Sequence, residues 1–377
     1  MVSSFARGLI FRQKAFEFYP GLVIRHSPVI SFVFRHLEKK IWTDTHQLDD
    51  GFLPKKFKKK KKVPPPPPPI INIPGFVRIS GPRHNMVVYF EELRRDNSRR
   101  KRHGSLVVHG IKYIKDLIAK GHHIKSIGIT APEDLKSVND IAGPSKEVFQ
   151  NINQFPADRY YVASVEWTRK ILGGEARVDN REIWAELPFP NISFPQNLSK
   201  LLVLDHVIDG VNMGMLIRAA DALRWDASFI VAGTIDLFDE QVIRTSRCTS
   251  VTWPSKTGFW HDLYALTKEH DLTLVIADAM PHNKSIQSQN KICFWNPTTQ
   301  EIYNEIPSSR IALVLGSKMH GVTYRDAGED IIRVSIPMLN NVNSLNVAMA
   351  GNILMYEINR LINTNKSTEK KMTTNNN

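Results

Sequence analysis

The stretch LLVLDHVIDGVNMGMLIRAADALRW, residues 201–225, decides the fold of this chain. It opens with a nearly continuous apolar run, which is typical of a strand buried on both faces in a parallel sheet. A helix is predicted to follow, beginning near Asn212 and Gly214 and continuing through Arg218. The unpaired N–H groups and the positive dipole end of such a helix start suit an anion. A buried strand followed directly by a helix predicts an α/β fold.

The same alternation continues to about residue 362. Strands are predicted at SFIVAGT, DLTLVIADA, RIALVLGS and IIRVSIPM, and a closing helix at SLNVAMAGNILMYEINRLI. Continuous apolar strands that alternate with helices predict a parallel sheet covered on both faces. Upstream, the strands SLVVHG and HIKSIGIT flank the amphipathic helix GIKYIKDLIAKG, which predicts a smaller α/β domain before the larger one.

Positive charge is concentrated at the N-terminal side of the chain. The 377 residues carry a formal net charge of +13, and residues 1–110 contain 22 Lys and Arg against 8 Asp and Glu. Such an excess indicates a polyanionic partner, because Lys and Arg neutralise phosphates and release counterions, although a solvated charge run or an address signal is the alternative. RNA contacts are therefore predicted at Lys55, Lys56, Lys58, Lys59, Arg99, Arg100, Lys101 and Arg102.

The first 36 residues combine arginine, serine and apolar side chains with one acid, Glu17. This composition is typical of an amphipathic organelle-import presequence, and an ordinary N-terminal helix is the alternative. Residues 37–89 are predicted to be a basic extension in which Pro64–Pro69 form an extended spacer. The lysine run also resembles a nuclear localisation signal. A mitochondrial location is preferred, with a nuclear or nucleolar one as the alternative.

Several classes of protein are excluded. The two cysteines, Cys248 and Cys293, rule out a disulfide scaffold, and no cysteine pair has metal-ligand spacing, so no metal site is predicted. No run of about 18 apolar residues predicts a transmembrane helix. The polar tail, residues 364–377, is predicted to be disordered.

Three loops each follow a predicted parallel strand, at the edge where α/β sheets bind ligands. They are Asp205–Arg218, Leu315–Gly321 and Ile336–Val347. Taken singly, each has a plainer interpretation as a turn, a glycine-rich loop or a helix cap, and Ser344 lies where an N-cap is expected. Their order along the chain makes the combination far more specific than any one of them.

These loops resemble the three motifs of the SpoU, or TrmH-like, ribose 2′-O-methyltransferases of the SPOUT superfamily. The matching residues are Asn212, Gly214 and Arg218, then Leu315, Gly316 and Gly321, then Ile336, Pro337 and Met338 followed by Ser344–Val347. The resemblance covers about residues 90–362. It implies a SPOUT domain with a deep trefoil knot at 199–363, preceded at 90–190 by an RNA-binding domain similar to ribosomal protein L30e. It also implies a homodimer, or a heterodimer with a related SPOUT protein.

The resemblance also implies a cofactor and roles for particular residues. S-adenosylmethionine would be held largely by backbone at Gly316, Ile336 and Leu345. Catalytic roles would fall to Arg218, which activates the ribose hydroxyl, to Asn212 and Asn346 as orienting residues, and to Ser344 near the methyl-transfer centre. Because arginine normally stays protonated, electrostatic stabilisation of the oxyanion is less demanding than direct base action.

Two departures from the family pattern raise a question about activity. Lys318 and Met319 stand where the family usually has glutamate and glycine, and Ser246 is followed by Arg247 and Cys248 where the family often has Ser-x-Gly. A lysine near Arg218 removes an acceptor and adds like-charge repulsion. The prediction is 2′-O-methylation of RNA, foremost mitochondrial large-subunit rRNA in a pre-ribosomal particle. The alternative is a catalytically weak or inactive methyltransferase-like factor in mitochondrial ribosome assembly.

Overall fold

Two β-sheets with flanking helices make up the computed structural model of the chain. It describes residues 73–81, 83–135, 137–173, 182–279, 291–299, 301–303, 305–316, 331–338 and 344–374, with side chains to residue 365. All of them belong to one compact unit, Pro67–Asn377. The predicted import segment, the lysine run with Lys55, Lys56, Lys58 and Lys59, and Lys318 lie outside the described residues.

The first sheet has five strands in the order β1-β4-β3-β5-β2. Strands β1, β4 and β3 are parallel, and β5 is antiparallel to both β3 and β2. The strands are β1 (Phe76–Ile79), β2 (Ser105–His109), β3 (Ser126–Thr130), β4 (Arg159–Ala163) and β5 (Ile183–Pro188). The helices are α1 (Asn85–Arg95), α2 (Asn97–His103), α3 (Ile111–Ala119), α4 (Gly143–Gln150) and α5 (Val165–Leu172).

The first sheet begins upstream of residue 90, within the stretch predicted to be an extension. Phe76 to Ile79 pair with Tyr160 to Ala163, so β1 is a full edge strand of this sheet. Sequence periodicity did not reveal it because four residues beside a proline-rich segment are too few for a period-2 pattern.

The second sheet has eight described strands in the order β11-β10-β13-β9-β12-β6-β7-β8. Its strands are β6 (Lys200–Asp205), β7 (Ala227–Val231), β8 (Ser255–Gly258), β9 (Thr273–Ala277), β10 (Cys293–Trp295), β11 (Ile302–Tyr303), β12 (Ile311–Gly316) and β13 (Ile332–Ser335). The helices are α6 (Gly210–Ala222), α7 (Glu240–Thr245), α8 (Thr249–Thr252), α9 (Trp260–Glu269) and α10 (Val347–Thr374).

The six strands from β13 to β8 are parallel, which confirms the parallel sheet predicted from the apolar runs. Strand β8, whose sequence SKTG is not apolar, was not among the predicted strands. Successive residues of β6 enter opposite cores: Leu202 and Leu204 pack with α6 and α10, whereas Leu201 and Val203 pack with α9. Burial on both faces is why these strands are continuously apolar. The short strands β10 and β11 pair antiparallel at one edge and were not predicted, because three and two residues carry no readable period.

Helix α10 extends through Thr374, so residues 364–374 are helical where their polar composition predicted disorder. Lys, Glu and Met are good helix formers, and extending an existing helix needs no new nucleus. The packed part of α10 approaches α6 closely at Gly351, where an added Cβ would lie 2.4 Å from Leu216 Cδ2. Along the described helices, none combines the length and apolar character needed to cross a bilayer.

Candidate active site

The strands that precede the three predicted loops end at the same edge of the second sheet. Strand β12 pairs with β6 so that Gly316 lies opposite Asp205, and β13 runs parallel to both, with β9 between β13 and β12. Because the carboxyl ends of parallel strands meet at one edge, Asp205, Gly316 and Ser335 all end their strands there. Gly321 and the rest of the loop after Gly316 lie outside the described residues.

Asn212 and Asn346 are brought into direct contact there. The carboxylate of Asp209 accepts a hydrogen bond from the Asn212 N–H at 2.7 Å, which caps α6. Asn346 Oδ1 accepts from the N–H groups of Ala348 and Met349 at 2.9 and 3.3 Å, which caps α10. Asn346 Nδ2 then donates to Asn212 Oδ1 at 2.9 Å. One side-chain amide therefore caps a helix and links the starts of α6 and α10.

The expectation that Ser344 caps this helix is wrong. Helix α10 begins at Val347, so the capping position falls on Asn346, and Ser344 lies two residues further upstream, half-buried. Asn is as good an N-cap as Ser, and its amide can accept at Oδ1 while it donates at Nδ2. That second bond to Asn212 is available only to an amide in this register.

Arg218 lies on another face of α6. Its side chain is exposed, in line with Val211 and Met215, which are 41% and 40% exposed. Arg218 comes six positions after Asn212, and at 3.6 residues per turn this offset places the two side chains roughly 120° apart around the helix axis. The structure thus joins Asn212 to Asn346 but directs Arg218 towards the outer surface of the helix.

The glycine of the first motif permits close packing of α6 on α7. An added Cβ at Gly214 would lie 2.8 Å from the Val242 carbonyl oxygen and 2.8 Å from Thr245 Cβ. Such distances are well inside van der Waals contact, so a larger residue would push the two helices apart. Gly214 therefore helps to set the position of α6, and with it the position of Asn212 and Arg218.

The three predicted cofactor residues, Gly316, Ile336 and Leu345, are each half-buried at this edge. The β12–β9 ladder ends at Val314, two residues before β12 ends, so the sheet does not use the backbone of Leu315 and Gly316 on that side. Ile336 packs against the core formed by α6 and α10. Backbone polar groups beside apolar side chains fit a ligand with an adenine ring and apolar arms. In the described part of the chain, no group of three or more His, Cys, Asp or Glu residues could hold a metal ion.

One predicted RNA-binding residue is structural instead. Arg100 is 2% exposed; its Nη1 donates to the Leu93 and Arg94 carbonyls at 2.9 Å each, and its Nη2 pairs with Asp236. The guanidinium closes the end of α1 and links it to the segment between β7 and α7, so it is not available to RNA. Of its neighbours, Lys101 and Arg102 are exposed, and Arg99 is half-buried with its guanidinium 3.6 Å from the Glu92 carboxylate.

Residues 199–356 match the family model of the SpoU rRNA methylases. This range contains the motif residues just described, and it is called the SpoU segment.

The chain is 22% identical over 261 residues to a protein of Staphylococcus haemolyticus that is named as a TrmH family tRNA/rRNA methyltransferase. The matched region covers 68% of this chain and 95% of the staphylococcal protein. It is 21% identical to rRNA methyltransferase 3, mitochondrial, of Xenopus tropicalis, over 70% and 71% of the two chains. Its fold is similar to that of the SpoU methyltransferase AviRb from Streptomyces viridochromogenes, whose structure was solved in complex with the cofactor AdoMet. The TM-score is 0.57 at 17% sequence identity, and the match covers 74% of this chain and 98% of the AviRb chain.

The second departure in the SpoU segment has a structural consequence. Arg247 and Cys248 have φ angles of 53° and 63°, in the left-handed region that favours glycine, which the family often has at the second position. The Cys248 side chain is buried in the core between α7, α8 and the first sheet. Burial raises the pKa of its thiol to about 12, so it stays protonated and is a packing group, not a nucleophile.

Sequence reasoning missed the side-chain pair at the end of β6. Asp205, the last residue of the strand, is fully buried, and its Oδ1 lies 2.8 Å from His206 Nδ1; His206 itself has a φ of 54°. The signal in the sequence is a charged residue followed by a histidine directly after four apolar residues, Leu201–Leu204.

Proposed function

We propose that this chain transfers the methyl group of S-adenosylmethionine to a ribose 2′-hydroxyl of RNA. The observation that carries the proposal is the 2.9 Å bond from Asn346 to Asn212, which joins the third motif to the first within the SpoU segment. The names of the staphylococcal and Xenopus relatives, and the cofactor in the AviRb structure, support the same reaction class.

Each predicted residue has a part in this reaction. The backbone at Gly316, with Ile336 and Leu345, holds the cofactor, which supplies an electrophilic methyl group on a positively charged sulfur. With the cofactor bound, the ribose oxygen would take its methyl group as the carbon–sulfur bond broke, and the hydroxyl proton would pass to an RNA phosphate or to water. Arg218 stabilises the developing negative charge on the oxygen.

The remaining motif residues fix the positions of the two loops relative to each other. Asn212 and Asn346 hold the loops together through the hydrogen bond between their side-chain amides, and Ser344 lies beside the methyl-transfer centre. Because the loops come from different strands, a shift of one against the other would misplace the hydroxyl relative to the methyl carbon.

We infer that the protein works as a dimer, either with itself or with a related SPOUT protein. Exposed apolar side chains follow two packed helices at helical spacing: Val211 and Met215 on α6, and Met349, Ile353 and Tyr356 on α10, which are 59%, 40% and 58% exposed. A contiguous apolar surface is typical of a protein interface. Arg218 lies in line with Val211 and Met215, so dimerisation at this surface would place its guanidinium beside the partner subunit.

The remaining assignments follow the resemblance. The SPOUT domain, 199–363, would carry the deep trefoil knot. The first sheet and its helices, which begin at Phe76 and not at residue 90, would form the L30e-like domain that selects the RNA, with Lys101 and Arg102 available to phosphates. Residues 1–36 would direct import into mitochondria, which the mitochondrial name of the Xenopus relative supports. The substrate would then be mitochondrial large-subunit rRNA within a pre-ribosomal particle.

The decisive experiment maps ribose methylation in organellar and cytosolic RNA after depletion of the protein. Loss of one methylated nucleotide is expected, restored by the wild-type chain and not by Arg218→Ala. An unchanged methylation map would contradict the proposal.

A second candidate function is a ribosome-assembly factor of the same fold with weak or absent catalysis, and Lys318 is the observation that favours it. If the lysine disables the site, Lys318→Glu should raise methyl transfer above background. If the lysine instead helps to bind RNA phosphate, the same change should lower both RNA affinity and an activity already present.

A further inference from the structure

Phe259 is an aromatic side chain that the fold leaves in water. It lies between β8 and α9 and is 62% exposed. Its backbone caps α9: the N–H donates to Asp262 Oδ2 at 2.8 Å, and the carbonyl accepts from the Asp262 and Leu263 N–H groups at 3.1 Å each. These bonds use only the backbone of residue 259, so the cap does not require a phenyl ring.

The His261 ring lies against Phe259. The two ring centroids are 5.7 Å apart and the planes differ by 14°, and the His261 side chain is 78% exposed. Its Nε2 is 3.3 Å from Asp262 Oδ1, which holds the ring in place. The two rings, the Phe259–His261 pair, lie nearly parallel to each other at the start of α9 and remain exposed.

The pair lies at the same edge of the sheet as the candidate active site. Gly316 is opposite Asp205, Leu204 is opposite Ile230, and the residue after Ile230 is opposite Gly258. Gly316 and Gly258 therefore end their strands at the same level, three strands apart. With neighbouring strands about 4.8 Å apart, the spacing between these two strand ends is roughly 14 Å.

We propose that the Phe259–His261 pair is a stacking site for an unpaired base of the RNA substrate, close to the nucleotide whose ribose is methylated. This inference rests on the proposed function. Single-stranded RNA is recognised by bases that stack on aromatic side chains, Phe and His among them. Every base has a flat face, so such a site holds the strand without selecting its sequence.

The surroundings favour a base over a protein partner. The exposed residues beside the pair, Lys256, Thr257 and Asp262, are polar or charged. The core of a protein interface is a contiguous apolar patch, whereas a nucleobase needs only one flat face with polar groups around it.

Two substitutions at one position separate stacking from apolar contact. Phe259→Tyr keeps the aromatic face, whereas Phe259→Leu keeps an apolar side chain without that face. The full chain is titrated with a short single-stranded oligoadenylate that contains one 2-aminopurine, whose fluorescence falls on stacking. Phe259→Tyr should bind as the wild type does, and Phe259→Leu about 5-fold to 100-fold more weakly.

Matched histidine variants locate the stacked base. His261→Ala should reduce the fluorescence change, whereas His123→Ala should leave it intact. His123 is also an exposed imidazole beside a carboxylate, 3.0 Å from Asp158 Oδ1, but it lies in the loop before β3, away from α9. Calorimetry with S-adenosylmethionine, expected to be unchanged in all four variants, monitors the fold and the cofactor site.

The outcomes are distinguishable. Equal RNA affinity of Phe259→Leu and the wild type, with methyl transfer present, would overturn the stacking site and leave the proposed function standing. Loss of RNA binding in a further variant, Phe259→Ser, with no loss in Phe259→Leu would indicate an apolar contact without stacking and would also overturn it. A folded wild-type protein that binds neither RNA nor cofactor would overturn both proposals.

Discussion

Asn346 Nδ2 donates a hydrogen bond to Asn212 Oδ1 at 2.9 Å, across a sequence separation of 134 residues. The same Asn346 side chain caps α10 through its other amide atom. The start of the last helix is thereby tied to the start of the helix that carries Arg218. The Asn346 side chain therefore contributes both to the stability of α10 and to the geometry of the candidate site. Substitutions at this position can separate the two effects.

Asn346→Asp should keep the cap and lose the link. A carboxylate oxygen can still accept from the Ala348 N–H, but it cannot donate to Asn212. We expect Asn346→Ala to lower the free energy of unfolding by about 1 to 2 kcal/mol and Asn346→Asp by less, while both lose methyl transfer. Urea unfolding and methyl-transfer assays measure the two effects. Asp96→Ala, which removes the cap of α2, is the control: it should lose similar stability with unchanged cofactor affinity.

Arg218→Ala should reduce turnover far more than cofactor affinity. The guanidinium is proposed to act on the developing oxyanion, an interaction made only in the transition state. Arg218→Lys keeps the charge without the planar fork and should retain part of the activity. Single-turnover methyl transfer and calorimetry with the cofactor test this. Turnover equal to that of the wild type in a folded Arg218→Ala protein would refute the role.

Arg100 and Arg102 lie two residues apart on α2 and should behave oppositely. Arg100→Ala removes the partner of Asp236 and leaves the Leu93 carbonyl without its donor, so the free energy of unfolding should fall by about 3 kcal/mol. Arg102→Ala, at an exposed position, should change stability by less than about 0.5 kcal/mol and weaken RNA binding. Denaturant unfolding and salt titrations of RNA affinity give both quantities, and equal stability of the two variants would contradict the burial argument.

His109 should make the fold sensitive to acid. Burial, together with the positive charge of Arg244, lowers the pKa of its imidazole from 6.5 to about 4, and the Glu182 carboxylate 3.9 Å away does not offset this. Between these values the unfolded chain takes up a proton that the folded protein does not. The free energy of unfolding should therefore fall as the pH drops from 6.5 to 4, by on the order of 2 to 3 kcal/mol. His109→Gln should remove this part of the pH dependence in urea titrations, and an identical pH profile would contradict the assignment.

Ile353→Glu should convert the protein to monomers. The side chain is 40% exposed in the apolar surface of α6 and α10, so a buried, unpaired carboxylate at a dimer interface would oppose association. Sedimentation measures the change. Val88→Glu is the control, since Val88 is 43% exposed on α1, outside that surface, and should leave the oligomeric state unchanged. A wild-type protein that is already monomeric would refute the homodimer.

Local sequence patterns predicted the strands and helices that position the site. Leu201–Leu204 are all apolar because β6 is buried on both faces, and that constraint can be read along the chain without any partner being known. The loops after Asp205, Gly316 and Ser335 could be placed at one edge for a related reason, since parallel strands share the direction of their carboxyl ends. Strands as short as β10 and β11 offered no such pattern.

The sequence by itself determined the parallel α/β core and the family motifs, because burial and backbone preferences act on neighbouring residues. Only the tertiary structure decided what individual polar side chains do. Arg100 sits in a basic run that indicates a nucleic-acid contact, yet its guanidinium is buried against Asp236, 136 residues away. Asn346, not Ser344, caps α10 and meets Asn212. Packing between segments that are far apart in sequence decides which partner a polar group has. The local composition around that group does not indicate which distant segment it will contact.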